Sequence, residues 1–411
     1  MTESGTMSES MSIVIVGGGH AAAQLCAGLL AAGRAAGVHL ACEEPELPYQ
    51  RPPLSKAFLK QPQEALQHHR PESWFADAGI TVHRADPAVA IDRLGKSVRL
   101  RSGKQRRYDR LVLATGARAR RLPHLPDGLQ NVAVLRSAAD AVRLRELLAH
   151  VGHLTVVGGG FIGLEVAASA LALGRRVDVL ESAPRLLMRS VSLEVGDHVL
   201  QTHRANGMVV RVGVAVGAFR IGADRLQTLT VDGVETPVDL LVLGIGAVPE
   251  HALASAAGLQ CDNGIVVDEF MQTSDPAILA IGDCTNFPEP TTAHRLRLES
   301  VQNANDQAKV AAATLCGAPQ PYRAVPWFWS EQGSLRLQMA GLGSHDATRF
   351  RRKGGSDGSF SILHYVAGRL ASVESVNAPL DHMAARKLLE TGRNVAPEIA
   401  CDSSVPLKAH V

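Results

Sequence analysis

Apolar positions along the chain fall into two kinds of pattern. In the first, a short unbroken apolar run ends in glycines and is followed by a longer apolar-rich stretch. Ser12–Val16 leads into Gly17-Gly18-Gly19, then Ala21–Ala32, then a second short run at Val38–Cys42. The same succession recurs at Leu154–Val157, Gly158–Gly160, Leu164–Leu173 and Arg176–Leu180. Short unbroken runs suit strands buried on both faces, and the longer stretches suit helices. Each succession therefore predicts a strand–loop–helix–strand unit. Two such units at wide separation predict two nucleotide-binding domains and not a short-period repeat. Further buried strands are expected at Leu111–Thr115, Leu240–Ile245 and Leu279–Gly282.

From about Pro326 the pattern changes. Alternating residues at Ser334–Met339, two tryptophans and the glycine-rich turn Lys353–Gly358 predict an antiparallel α+β domain. Residues 1–11 are polar and read as a disordered tail.

The glycines carry the first chemistry. Gly17-Gly18-Gly19-His20-Ala21-Ala22 has the form G-x-G-x-x-A. Gly17 permits the tight turn after the strand, Gly19 lets the backbone approach a pyrophosphate, and small Ala22 lets helix and strand pack. The N–H groups at the helix start then face the phosphates. Glu43 ends the second strand, where a carboxylate bonds ribose hydroxyls, with Glu44 as the fallback for that role. The second loop, Gly158-Gly159-Gly160-Phe161-Ile162-Gly163, is a full G-x-G-x-x-G, and Glu181 ends its second strand. A carboxylate there favours NAD over NADP, although Arg175, Arg176 and Arg185 lie nearby. One glycine loop alone is a weak sign. Two, each between a strand and a helix and each followed by an acid, point to two bound dinucleotides.

Composition narrows the reading. The 411 residues suffice for two or three domains. Charged residues make up 20% and the net charge is +2, which gives no reason to expect nucleic acid as a partner. The six cysteines are scattered and form no C-x-x-C pair, so neither a disulfide framework nor a metal site is expected. The N-terminal segment lacks an apolar signal core, and no apolar run is long enough to span a membrane. A cytoplasmic protein is the expectation. His20 reads as a loop residue, and Cys42 and Cys284 read as small buried apolar residues.

Several longer motifs carry a resemblance. They are Leu47–Lys56 (LPYQRPPLSK), Leu113–Gly116 (LATG), Leu164-Glu165 after the second loop, Ile281-Gly282-Asp283, Arg297–Ala304 (RLESVQNA) and Val325–Ser330 (VPWFWS). Over nearly its whole length the chain resembles the FAD- and NADH-dependent ferredoxin reductases that serve bacterial cytochrome P450 and ring-hydroxylating dioxygenase systems. The resemblance implies that Ala21, Glu43, Arg51, Lys56, Ala114, Arg136, Asp283 and Val301 contact FAD, beside Gly17, Gly19 and Ala22 of the loop. It places Asp283 at the head of a helix near the flavin ribityl chain, and it gives Arg136 charge-assisted bonds to the pyrophosphate. It implies that Gly158, Gly160, Ile162, Gly163, Glu181 and Gly246 line the NAD site.

Lys56 and Glu165 would meet near the reactive face of the flavin, where an ammonium favours the anionic reduced form. Without the resemblance they read as a surface lysine and a carboxylate near a helix start. Trp327 and Trp329 alternate, so one is expected to face the core and the other, Trp329, the flavin or solvent. Glu331 stands where the family has Asp, and Gly333 where it has a bulky residue, which bears on partner fit. Arg349–Lys353 (RFRRK), with Arg295 and Arg297, would offer a basic docking surface to an acidic ferredoxin.

The expected fold is α/β, with two Rossmann-like domains of the pyridine nucleotide-disulfide oxidoreductase type and a C-terminal α+β domain. The expected boundaries are 1–117 with 247–324 for FAD, 118–246 for NAD(H), and 325–411 for the last domain. The resemblance implies hydride transfer from NADH to FAD, then single electrons to a [2Fe–2S] ferredoxin, by a monomer or homodimer. Two alternatives stand beside it. An NADH oxidase or peroxidase would need a redox cysteine roughly where the chain has Arg51-Pro52. A flavoprotein resembling apoptosis-inducing factor would act through NADH-dependent contacts.

Overall fold

The computed structural model describes residues 11–289 and 294–411. The expected N-terminal tail falls almost wholly outside them. The chain divides into two compact units. The first comprises residues up to 50, 66–118 and 249–324, and the second comprises 51–65, 119–248 and 325–411.

The first unit is built on a five-stranded parallel sheet. Its order is Ile278–Ala280, Arg110–Leu113, Ile13–Val16, His39–Ala41, Thr81–His83. The central strand pairs Val14 with His39 on one side and with Leu111 on the other. All four of its residues are buried, as the unbroken apolar run requires. The helix His20–Ala31 follows directly, and Leu25 and Leu29 on it are fully buried. Each contributes roughly 2 kcal/mol of burial. The helix Val301–Leu315 packs against it, so closely that a Cβ on Gly28 would stand 3.0 Å from Ala312 Cβ. Two small three-stranded sheets belong to the same unit: Ala88–Asp92, Ser97–Leu100 and Gln105–Arg107, which is antiparallel, and Ile265–Val266, Thr285–Pro288 and Arg295–Leu296.

The second unit repeats the plan. Its parallel sheet runs Val209–Val212, Arg176–Glu181, His153–Val157, Leu240–Leu243, Val132–Ala133. The helix Phe161–Ala172 follows the central strand, and Ala138–His150 is opened by a capping box between Ser137 and Asp140. A three-stranded antiparallel sheet spans 216–237. The C-terminal part is a five-stranded antiparallel sheet ordered Trp327–Gln332, Leu335–Gly341, Arg369–Val376, Phe360–Val366, Thr348–Lys353. The helix Pro379–Thr391 packs on it. The strands expected from the apolar runs are present, each within a few residues of its expected ends.

Candidate active site

The two glycine loops are built alike. Gly17 has φ +119°, and a Cβ there would lie 2.1 Å from the carbonyl oxygen of Ala114. Gly158 has φ +110°, and a Cβ there would lie 2.4 Å from the oxygen of Gly244. Both turns therefore exclude every side chain. Gly163 is held as tightly, with a Cβ position 2.4 Å from Gly158 O, which is the close helix–strand packing expected of the third glycine. Ala22 fills that place in the first loop and is fully buried. Gly19 differs from all of these, because a Cβ on it would meet nothing within 4 Å. Gly160 is nearly as open, its closest neighbour being Gly244 O at 3.7 Å. Each of these two glycines is the N-cap of its helix and offers no side-chain cap to the first-turn N–H groups. Both loops thus leave an open space beside a helix start that has no side-chain cap, the arrangement an anionic pyrophosphate fills.

The acids at the strand ends differ in their partners. Glu181 folds back on its own loop, where Oε2 accepts Gly159 N–H at 2.6 Å and Oε1 accepts Ala183 N–H at 2.7 Å. It thereby braces the turn that it was expected to serve. Glu43 is exposed, while Glu44 is half-buried and accepts the Tyr49 hydroxyl at 2.6 Å, so the fallback carboxylate already has a structural task. Among the nearby cations, Arg185 is spent on carbonyls, at 3.3 Å to Ser192 and 2.9 Å to Met188. Arg189, which the sequence did not single out, is exposed and has Nη2 3.7 Å from where a Cβ on Gly246 would stand.

Arg51 donates to the Arg136 carbonyl at 2.5 Å, which brings together two residues expected to serve one cofactor. Ile162 is 47% exposed on the first turn of its helix, so its side chain does not pack in the core. Ala21 and Ala114 are buried beside the first loop, and Val301 is the first residue of its helix, capped by Ser300. Asp283 departs from expectation. It sits in a turn before the strand Thr285–Pro288, and the nearest following helix begins only at Val301. The neighbouring Gly282, with N–H donating 2.7 Å to Gln307 Oε1, ties this turn to that helix.

The strongest constellation lies within the second unit. Lys56 Nζ and Glu165 Oε2 are 2.6 Å apart, with Glu165 3% exposed and Lys56 18%. The Ser55 hydroxyl donates to the same Oε2 at 2.5 Å, and the Ser330 hydroxyl to Oε1 at 2.7 Å. Lys56 also donates to the Pro52 carbonyl at 3.1 Å. Pro52 and Pro53 fix the backbone of the short 3-10 turn that presents Ser55 and Lys56. A buried carboxylate held by an ammonium and two hydroxyls, with the lysine partly open, can steer negative charge on a bound group. Neither serine was foreseen.

The C-terminal sheet corrects one expectation and narrows another. Trp327 and Trp329 lie two apart on one strand and so share a face; their ring centroids are 5.5 Å apart. The opposite face carries Phe328, 4.6 Å from the Phe161 ring, and Ser330. Both tryptophans are half-buried. The basic run is likewise split by the strand period. Arg352 is buried, pairs with Asp381 at 3.2 Å and donates to the carbonyls of Ala400, Asp402 and Val405. Arg349, Arg351 and Lys353 are exposed on the other face, Arg351 lying over the Phe360 ring. Arg295 is also committed, to the carbonyls of Val267 and Asn286, and Arg297 to Glu299.

The cysteines near the first loop are buried, and the Cys42 sulfur lies 2.8 Å from where a Cβ on Gly18 would stand. Burial pushes the Cys26 and Cys42 thiols up to about 12 and raises Cys284 as well. Such thiols are inert. Among the described residues no group of His, Cys, Asp and Glu could hold a metal ion, and no helix is long and apolar enough to cross a membrane.

Residues 11–308 match the family model described as pyridine nucleotide-disulphide oxidoreductase, and residues 327–411 match that described as reductase C-terminal. The chain belongs to the pyridine nucleotide-disulphide oxidoreductase family. Within it the chain falls among the ferredoxin reductases. It is 44% identical to rhodocoxin reductase of Rhodococcus erythropolis, over 97% of this chain and 94% of that one. It is 38% identical to putidaredoxin reductase of Pseudomonas putida, over 98% and 97%. Among solved structures it is similar to the ferredoxin reductase for the CYP199A2 system of Rhodopseudomonas palustris. That match has a TM-score of 0.93, 41% identity, and coverage of 97% of this chain and 100% of that one. It is similar too to the reductase in a covalent putidaredoxin reductase–putidaredoxin complex, with a TM-score of 0.92, 38% identity and 97% coverage of each. A pyridine nucleotide-disulphide oxidoreductase of this kind uses FAD and NAD(P)H. The two cradles fit them: each has a turn closed to any side chain and an open glycine at a helix start without a side-chain cap.

Proposed function

We propose that the chain is the reductase component of an oxygenase system, taking hydride from NADH and delivering single electrons to a [2Fe–2S] ferredoxin. The observation that carries this reading is a pair of dinucleotide cradles in one chain whose nearby cysteines are buried and inert. FAD, when bound, converts a two-electron input into one-electron output, so no thiol relay is needed. The chain supplies binding and electrostatics. Gly17, Gly19, Ala21, Ala22, Glu43, Ala114, Asp283 and Val301 are assigned to FAD, with Arg51 and Arg136 as its cationic ligands. Gly158, Gly160, Ile162, Gly163, Glu181 and Gly246 are assigned to NADH. Lys56 places an ammonium for the negative charge of the reduced cofactor, and Glu165 holds that ammonium in place. Trp329 is assigned to the electron exit. The domains are taken as 1–117 with 247–324, 118–246 and 325–411, and the compartment as the cytoplasm.

The test is rapid mixing of the FAD-loaded protein with NADH, then with a [2Fe–2S] ferredoxin. The flavin absorbance should bleach, and the iron–sulfur absorbance should then change in steps of one electron. Bleaching without transfer to any iron–sulfur protein above background overturns the reading. Rapid consumption of oxygen or peroxide without a protein acceptor would favour an oxidase or peroxidase.

A further inference from the structure

The Lys56–Glu165 pair is the near end of a longer buried chain. The Ser330 hydroxyl that donates to Glu165 Oε1 at 2.7 Å itself accepts from Gln332 Nε2 at 3.1 Å. The other atom of that amide, Gln332 Oε1, lies 2.9 Å from His203 Nε2. Ser330 is 0% exposed, Gln332 and His203 are each 1%, and Glu165 is 3%. These residues come from three elements: the helix Phe161–Ala172, the helix Leu193–Ala205 and the strand Trp327–Gln332. Strand alternation turns Ser330 and Gln332 to the same side, away from the tryptophan face.

Chemistry fixes the direction of every bond in this chain. An amide oxygen only accepts, so His203 must carry its proton on Nε2 and donate. The Gln332 amide nitrogen only donates, so the Ser330 oxygen must accept from it. The single Ser330 hydrogen is thereby left for Glu165. All three donors point the same way, toward the carboxylate. Burial lowers the His203 imidazole below its ordinary range, which keeps it a neutral donor. At the carboxylate the two oxygens divide the work: Oε1 takes Ser330, while Oε2 takes Ser55 at 2.5 Å and Lys56 at 2.6 Å.

We propose that Ser330, aimed by Gln332 and His203, is a positioning residue for the Lys56–Glu165 pair, locking Oε1 so that Oε2 alone meets the lysine. The inference rests on the assignment of Lys56 and Glu165 to the flavin chemistry made above. Without Ser330 the carboxylate can turn about its terminal torsion, which has no staggered wells to hold it. Lys56 then loses its fixed direction even though its charge partner remains.

The test uses the FAD-loaded protein and the variants Ser330→Ala, Ser330→Thr, Gln332→Met and Glu165→Gln. Two quantities are read: the rate of flavin bleaching at saturating NADH, and the flavin midpoint potential. Ser330→Ala should slow bleaching about tenfold, the scale of one lost hydrogen bond to a charged group. The NADH concentration giving half the maximal rate should stay within about twofold, because the dinucleotide loop is untouched. The midpoint potential should move in the same direction as in Glu165→Gln. Ser330→Thr, which keeps the hydroxyl, should restore both, and Gln332→Met should fall between wild type and Ser330→Ala. If Glu165→Gln changes rate and potential while Ser330→Ala and Gln332→Met match wild type, the proposal is wrong and the assignment of the pair survives. If Glu165→Gln itself changes neither quantity, the assignment fails and the proposal falls with it. A lowered melting temperature in Ser330→Ala with unchanged rate and potential also overturns it, since that is all a merely structural hydroxyl would do.

Discussion

Lys56 Nζ meets Glu165 Oε2 at 2.6 Å across 109 residues of sequence, and the carboxylate end of that contact is buried. Removing the lysine would leave a buried carboxylate with only its two serine donors. Breaking a fully buried pair costs about 3–5 kcal/mol, and the partial exposure of Lys56 reduces that to about 2 kcal/mol. Lys56→Met should therefore lower the denaturant midpoint measurably and slow NADH-driven bleaching. Lys56→Arg should keep most of the stability, since the charge survives, but not the rate. A wild-type rate in Lys56→Arg would show that charge without geometry suffices.

The glycine loops separate folding from binding. At Gly17 and Gly158 a methyl group would strike backbone oxygen at 2.1 and 2.4 Å, so alanine there should destabilise the protein without any cofactor present. At Gly19 a methyl group meets no protein atom within 4 Å, and φ is −93°. Gly19→Ala should leave the cofactor-free melting temperature nearly unchanged and weaken FAD binding about tenfold or more, through loss of close approach to the phosphates. Flavin titration by fluorescence against apoprotein melting distinguishes the two classes. Unchanged affinity in Gly19→Ala would remove the first loop from the FAD site.

These loops were legible because each glycine turn is contiguous in sequence with the strand before it and the helix after it. Strand, turn and helix are local, and Gly17 and Gly158 are demanded by their own backbone. The surroundings of Glu165 were not legible. Ser55 is 110 residues away from it and Ser330 is 165 away, so no spacing rule joins them. The one available signal was strand alternation, which puts polar Ser330 and Gln332 on the inward side, where buried polar groups need partners. The same alternation, applied strictly, would have placed Trp327 and Trp329 on one face and split Arg352 from Arg349, Arg351 and Lys353. Asp283 was set at a helix head by resemblance and not by any local helix signal, and it is that placement alone which fails.

Glu181 is predicted to have two effects, since its carboxylate already accepts Gly159 N–H at 2.6 Å. Glu181→Ala should raise the NADPH-to-NADH ratio of kcat/KM, by removing a charge that repels the extra phosphate. It should also raise KM for NADH itself, because the loop loses its brace. Glu181→Gln should keep more of the brace while still relaxing the preference. A ratio unchanged in both variants would mean that Glu181 only holds the turn.

Acid should destabilise the protein through His382. Burial, with Arg386 and then Arg336 nearby, pushes its imidazole down to about 4. The unfolded chain takes up a proton at about pH 6.5, so protons favour the unfolded state below that pH. Stability is then complete above about pH 6.5, falls toward pH 4, and changes no further through this group below it. The loss is at most about 3 kcal/mol. His382→Leu should flatten the part of the stability–pH curve that it contributes, measured as urea midpoints at several values between pH 4 and 7. Curves for wild type and variant that stay parallel over that window would exonerate His382.

The basic strand Thr348–Lys353 offers a test that separates docking from folding. Arg352 points inward and holds the C-terminal residues by three carbonyl bonds and an ion pair with Asp381. Arg352→Gln should cost about 3 kcal/mol by stripping charge-assisted bonds from a buried site, and should loosen residues 397–411 in hydrogen exchange. Arg349 and Lys353 point outward, so a double change to glutamate should leave stability within about 0.5 kcal/mol. If this face receives an acidic ferredoxin, that double variant should slow ferredoxin reduction several-fold at low salt. The difference should shrink as salt screens the encounter over about 10 Å at 0.1 M. NADH-driven bleaching, which involves no protein partner, should stay at the wild-type rate at every salt concentration. A ferredoxin rate that is unchanged at low salt would move the docking surface elsewhere.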